Sequence, residues 1–181
     1  MRTDRRLLAP PLLATVLLHW QQLGPPRTPD MYFAGTPQPV VNEMLQLAHV
    51  TADDVLYDLG SGDGRIVIVA AQKYGARGVG IEIQPHLVAM SRQVAREGDV
   101  SGRVTFIEGD LFTADISRAT VVTLWLSRTV NARLEPKLKR ELSPGARIVS
   151  HQFPIGRWIP DRTVHSVYDG TDLFLWTVPA R

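Results

Sequence analysis

No cysteine occurs in the 181 residues, which excludes disulfides, thiolate zinc sites and a cysteine nucleophile. The absence leaves the redox compartment open, since secreted chains can lack cysteine as well. The five histidines show no metal-ligand spacing, and no metal site is expected. An excess of one charge sign is also missing from most of the chain. The formal net charge of +2 arises in the first 30 residues, which carry four arginines against two aspartates and leave 16 basic and 16 acidic side chains in the remainder. A neutral body offers no clustered positive footprint, so a nucleic-acid partner is not expected. Within it, acids outnumber bases over residues 31–117 and bases outnumber acids over 118–181.

An apolar run long enough to span a bilayer is lacking too. Leu7 to Leu18 is broken by Pro10 and Pro11, and at about a dozen residues it falls short of the ~20 that a spanning helix needs. Arg2, Arg5 and Arg6 before it give the order of a signal peptide, but no Ala-x-Ala cleavage pattern follows. Residues 1–30 are therefore read as a targeting, anchoring or disordered segment, with membrane association through residues 7–18. Gly24 to Pro29 reads as a linker, and the folded domain is expected over residues 31–181.

That domain has ample apolar material for one core, the chain being 44% hydrophobic. Thr36-Pro37 followed by Val40, Val41, Met44, Leu45 and Ala48 predicts a helix over 37–49. Strands are predicted at 55–59, 78–83, 104–108, 120–126 and 147–153. Helices are predicted at 65–74, at 85–97, and around a stripe of Val130, Leu134, Leu138 and Leu142. Two last strands, 163–168 and 173–178, flank Asp169-Gly170, a two-residue hairpin signal. This alternation predicts an α/β fold: a Rossmann-like, doubly wound, mostly parallel seven-stranded sheet ending in an antiparallel hairpin.

The chemistry-bearing tract is Asp58-Leu59-Gly60-Ser61-Gly62-Asp63-Gly64, a strand-to-helix turn, with Glu82 closing the next strand. Glycines there let the main chain approach a ligand, and an acid at the second strand end can accept from two ribose hydroxyls. The spacing is tighter than the dinucleotide pattern Gly-x-Gly-x-x-Gly. Asp58, moreover, would set a negative charge where a pyrophosphate sits. An acid in that place suits a cationic ligand.

These residues resemble the class I S-adenosylmethionine-dependent methyltransferases over roughly residues 37–178. The resemblance implies that Asp58, Gly60, Ser61 and Gly62 border the amino-acid portion of the cofactor. By the same analogy Glu82 holds the ribose, and Asp110 with Leu111 addresses the adenine. The donor would be S-adenosyl-L-methionine and the product S-adenosyl-L-homocysteine. The segments DLGSGDGRIVI, Asp110-Leu111-Phe112, Leu134-Glu135-Pro136-Lys137-Leu138 and Phe153-Pro154 to Trp158-Ile159-Pro160 narrow the likeness. They are similar to the protein-lysine methyltransferases related to the mitochondrial enzymes acting on the ATP synthase c subunit and the adenine nucleotide translocase. The lead-in Phe33 to Pro37 departs from that family's pattern. A cofactor made in the cytosol implies a cytoplasmic location, membrane-associated if residues 7–18 anchor it, and disfavours export.

The acceptor is expected beyond the carboxyl ends of the first and fourth strands, near Trp125 to Arg128. Leu124 to Arg128 lacks the Asn/Asp-Pro-Pro-Tyr-like motif of adenine-amine and glutamine methylating enzymes. For a lysine acceptor, Trp125 can offer a π face to the ammonium, and Ser127 or His151 can take a proton. These three are the catalytic candidates. A protein lysine is the expected acceptor, with a small molecule as the alternative. A nicotinamide-dependent oxidoreductase and a non-catalytic cofactor-binding module are the readings from other classes.

Overall fold

The computed structural model describes residues 33–180, and the expected targeting or anchoring segment at 1–30 lies outside them. Helix α1 spans Gln38–Leu47 and leads into strand β1, Val55–Leu59. The chain then alternates through α2 (Arg65–Tyr74), β2 (Arg77–Glu82), α3 (Pro85–Glu97) and β3 (Val104–Glu108). After a helix-less passage come β4 (Val121–Leu124), α4 (Arg128–Glu141), β5 (Arg147–His151), β6 (Arg162–His165) and β7 (Asp172–Thr177). The strands form one sheet in the order β3-β2-β1-β4-β5-β7-β6. The first five are parallel, and β7 runs antiparallel to both its neighbours. The α/β, Rossmann-like expectation therefore holds, hairpin included. Chain order reverses between β1 and β4, and that crevice at the strands' carboxyl ends is where such sheets receive ligands.

Alternation along the strands sorts the interior into two cores. Leu56, Val104, Val121 and Val149 face α1, α2 and α3, whereas Tyr57, Leu59, Val122, Leu124 and Ile148 face α4. Helix α2 is apolar on almost every side because Ile66 through Ala71 are all buried. The predicted stripe of α4 is buried along its whole length.

At the amino ends of the strands, Asp54 forms a buried bracket. It accepts from Thr120 Oγ1 (2.7 Å) and pairs with the Arg147 guanidinium, which also donates to the Ala48 carbonyl at 2.6 Å. Burial alone would raise the Asp54 carboxyl. The bonds from Thr120 and Thr51, with the Arg147 charge, outweigh it and hold the group below its ordinary value.

Several boundaries differ from expectation for local reasons. Pro37 caps α1 rather than opening it. Strand β5 stops at His151 because Gln152 takes a left-handed φ of 67°. The hairpin connection runs from 166 to 171, longer than the two-residue signal suggested. Ser166 Oγ accepts from the amides of Tyr168 and Asp169, which ends β6 early and places Asp169-Gly170 inside a wider turn. Among the described residues, no helix is long and apolar enough to cross a membrane.

Candidate functional site

The turn after β1 is built by glycine. Gly60, Gly62 and Gly64 have φ of 81°, 53° and 80°, a region that other residues enter at a cost. The amides of Gly60 and Ser61 both donate to the Ile81 carbonyl, at 2.9 and 3.0 Å, and the Gly64 amide donates to Ser61 at 2.8 Å. The Gly62 amide donates to Glu82 Oε2 at 2.9 Å. These four amides are thus already engaged within the protein. At Gly60, which lines a cavity, the turn offers a ligand close main-chain approach rather than the cradle of N–H donors that a pyrophosphate requires, whereas Gly62 is covered by the Phe33 ring and Gly64 by Phe106.

A cavity of about 260 Å³ opens at the carboxyl ends of β1, β2 and β4. Gly60, Glu82, Asp110, Leu111 and Trp125 line it, so five of the sequence candidates meet at one place. Glu82 is 6% exposed, and its second oxygen accepts from the Gln84 amide at 2.9 Å. Both oxygens are oriented from behind, which fixes the carboxylate at the wall. Asp110 accepts from the Phe112 amide at 2.8 Å, and this turn sets Leu111 at the rim.

Asp58 and Ser61 lie beside the main cavity, in a small recess that shares Gly60 and Trp125 with it. Asp58 is 3% exposed and accepts from Thr123 Oγ1 at 2.8 Å, across the β1–β4 register pair. Burial pushes its carboxyl up to about 7, against the lowering effect of the Thr123 bond, and the Glu82 and Asp63 charges add to the rise. Such a carboxyl ionises readily when a cation arrives. The buried Ser61 hydroxyl has no hydrogen-bond partner among the described residues.

The three catalytic candidates separate. Trp125 is in the cavity wall. Ser127 caps α4, its hydroxyl accepting from the Val130 amide at 3.2 Å. His151 is 2% exposed and sits behind Trp125, with ring centroids 4.8 Å apart. Burial lowers its pKa, although the Asp169 and Glu43 charges pull the other way.

Sequence reasoning missed several lining residues: Phe33, Ala34, Ile83, Gln84, Gln152 and Phe153. Phe33 packs its ring against Gly62. The lead-in is held there by Arg65, which donates to the Thr36 carbonyl at 2.9 Å while paired with Asp63 at 2.6 Å. Gln152 and Phe153 are set by a network around Asn131, a wholly buried side chain whose amide donates to Ser150 Oγ and to the Phe153 carbonyl. An asparagine breaking the apolar face of α4 was the available signal for it.

Comparison with known proteins places these features in context. The model of the ANTKMT methyltransferase domain matches residues 58–162. A protein-lysine N-methyltransferase of Saccharolobus islandicus (strain REY15A) is 43% identical over 143 residues, covering 78% of this chain and 88% of that protein. The Mus musculus lysine N-methyltransferase of the ATP synthase c subunit is 39% identical over 132 residues, or 73% of this chain, which spans about half of that relative's length (52%). Among solved structures, a Salinibacter ruber protein described as an RNA methyltransferase, in complex with S-adenosyl-L-homocysteine, is 57% identical. The match has a TM-score of 0.79 and covers 82% of this chain and 95% of that one.

Proposed function

The chain belongs to the ANTKMT methyltransferase domain family, and on that premise we propose that it transfers the methyl group of S-adenosyl-L-methionine to the amine of a protein lysine. The observation that carries this reading is the charge of the cavity. The charged side chains lining it are two carboxylates, Glu82 and Asp110, and they share the wall with the Trp125 indole. Such a lining suits a cationic donor, and the Trp125 indole in the same wall suits an ammonium acceptor.

The residues present fit the donor. Glu82, oriented by two backbone amides, is placed to accept from ribose hydroxyls, and Asp110 to accept from the adenine amine. Asp58, in the adjoining recess, would face the donor's ammonium group, whose positive charge would favour its ionised form. When bound, the donor supplies a methyl group activated by a sulfonium. The protein's part is alignment and desolvation, and no enzyme nucleophile is needed. Trp125 would give the acceptor amine an aromatic wall, and Phe33, which packs on Gly62 in a lead-in that Arg65 fastens at Thr36, would limit water at the same mouth.

A second reading, methylation of RNA, is favoured by the description of the Salinibacter ruber structure. One experiment separates the two. Purified protein is incubated with radiolabelled donor and either extract protein or extract RNA, followed by mass spectrometry of the labelled fraction. Methyl-lysine in protein is the expected result, and label confined to RNA would overturn it. Failure of both S-adenosyl-L-methionine and S-adenosyl-L-homocysteine to bind in a calorimetric titration would overturn methyl transfer altogether.

A further inference from the structure

His151 ends β5 with its ring buried, Nε2 lying 2.8 Å from Thr171 Oγ1. Thr171 in turn is 2.6 Å from Asp169 Oδ1, which also accepts the Thr171 amide at 3.0 Å. These bonds from Thr171 hold the Asp169 carboxyl below its ordinary value, so it is ionised and can only accept. A threonine hydroxyl has one proton, and that proton goes to Asp169. Toward His151 the Thr171 oxygen therefore acts as acceptor, and the imidazole must carry its proton on Nε2. Burial outweighs the Asp169 and Glu43 charges and lowers the ring's pKa, favouring the neutral form, in which Nδ1 is bare. Nδ1 is buried and has no hydrogen-bond partner among the described residues. The ring that this chain orients packs against the Trp125 indole, with the two planes at 37°.

We propose that Asp169, Thr171 and His151 form a hydrogen-bonded chain that fixes one imidazole tautomer and, through the ring contact, the pose of Trp125 in the acceptor wall. His151 is on this account a positioning residue, acting through Trp125, and the turn between β6 and β7 is the anchor of the acceptor site. The role assigned to Trp125 rests on the methyl-transfer reading, whereas the tautomer does not.

The test uses the full chain. Nitrogen-15 NMR of ring-labelled histidines, with His151 assigned by the loss of its signals in His151→Gln, should show the Nε2–H tautomer in the wild-type protein. Thr171→Val should shift it toward a tautomer mixture, and Thr171→Ser should restore it. With extract protein as acceptor, Thr171→Val should lower kcat/KM roughly tenfold, the size of one lost hydrogen bond, with donor affinity by calorimetry unchanged and activity restored in Thr171→Ser. An Nδ1–H tautomer or an imidazolium in the wild type overturns the proposal, as does a Thr171→Val protein identical to wild type in both readouts. Because the tautomer is read without donor or acceptor, failure of the methyl-transfer reading is distinguishable from failure of the chain.

Discussion

The amide of Gly62 donates to Glu82 across 2.9 Å, so the glycine turn and the carboxyl end of β2 form one hydrogen-bonded unit. The acid proposed to address the ligand is also the acid that shapes the loop beside it.

Glu82→Gln retains the side chain's size but removes the charge and replaces one acceptor oxygen with a donor facing an amide. Affinity for S-adenosyl-L-homocysteine should fall by about 1.5–3 kcal/mol, the range for a hydrogen bond to a charged group. Calorimetric titration measures it, and an unchanged dissociation constant removes Glu82 from the site.

Asp58 gives a pH signature of defined sign. Its folded carboxyl titrates at about 7 against an ordinary value of 3.8, so the folded state holds a proton that the unfolded chain releases. The stability this contributes is complete below the unfolded value and is lost as pH rises through 7. Asp58→Asn should therefore exceed the wild type by roughly 4 kcal/mol near pH 8, with the difference vanishing toward pH 4. Denaturant unfolding across that range checks it, and a stabilisation independent of pH would contradict it.

Gly64→Ala addresses the third glycine. A Cβ there would lie 2.6 Å from the Phe106 ring and 2.8 Å from Ser91 Cβ, at a φ of 80°. Strain and overpacking together should cost about 2–3 kcal/mol. The urea midpoint should fall with an unchanged slope.

How much of this was legible in the sequence depends on whether the cause was local. The turn at Gly60 to Gly64 and the strand acids Glu82 and Asp110 were readable because glycine conformation and strand-end placement are set within a few residues. Helices α2 and α3 began and ended where periodicity and capping indicated. Phe33 on Gly62, and Thr171 on His151, were not readable, because each joins segments separated by long stretches of chain through a contact with no spacing rule. Ser127 is a candidate by sequence because a hydroxyl after a strand suits either chemistry or capping, and in the structure its side chain accepts from the Val130 amide at the start of α4.

Arg147→Met tests the bracket at the opposite end of the sheet. It leaves Asp54 buried without its cation, a loss of roughly 3 kcal/mol at neutral pH. The Asp54 carboxyl is held low in the folded protein, so its stabilisation is present above the unfolded value and is lost as pH falls through the folded one. The gap between variant and wild type should therefore narrow in acid. Chemical denaturation at neutral and at acidic pH checks both the size and the trend.

Strand β7 lies between β5 and β6, although it follows both in the chain. During vectorial synthesis β5 emerges with one edge unsatisfied and β6 emerges with no sheet partner, until residues 172–177 leave the ribosome. The same late strand delivers the turn that bonds His151. Closure of the sheet and anchoring of the His151 ring are thus one late event in biogenesis, and a nascent chain stalled before that strand holds an assembled glycine turn beside an unanchored His151.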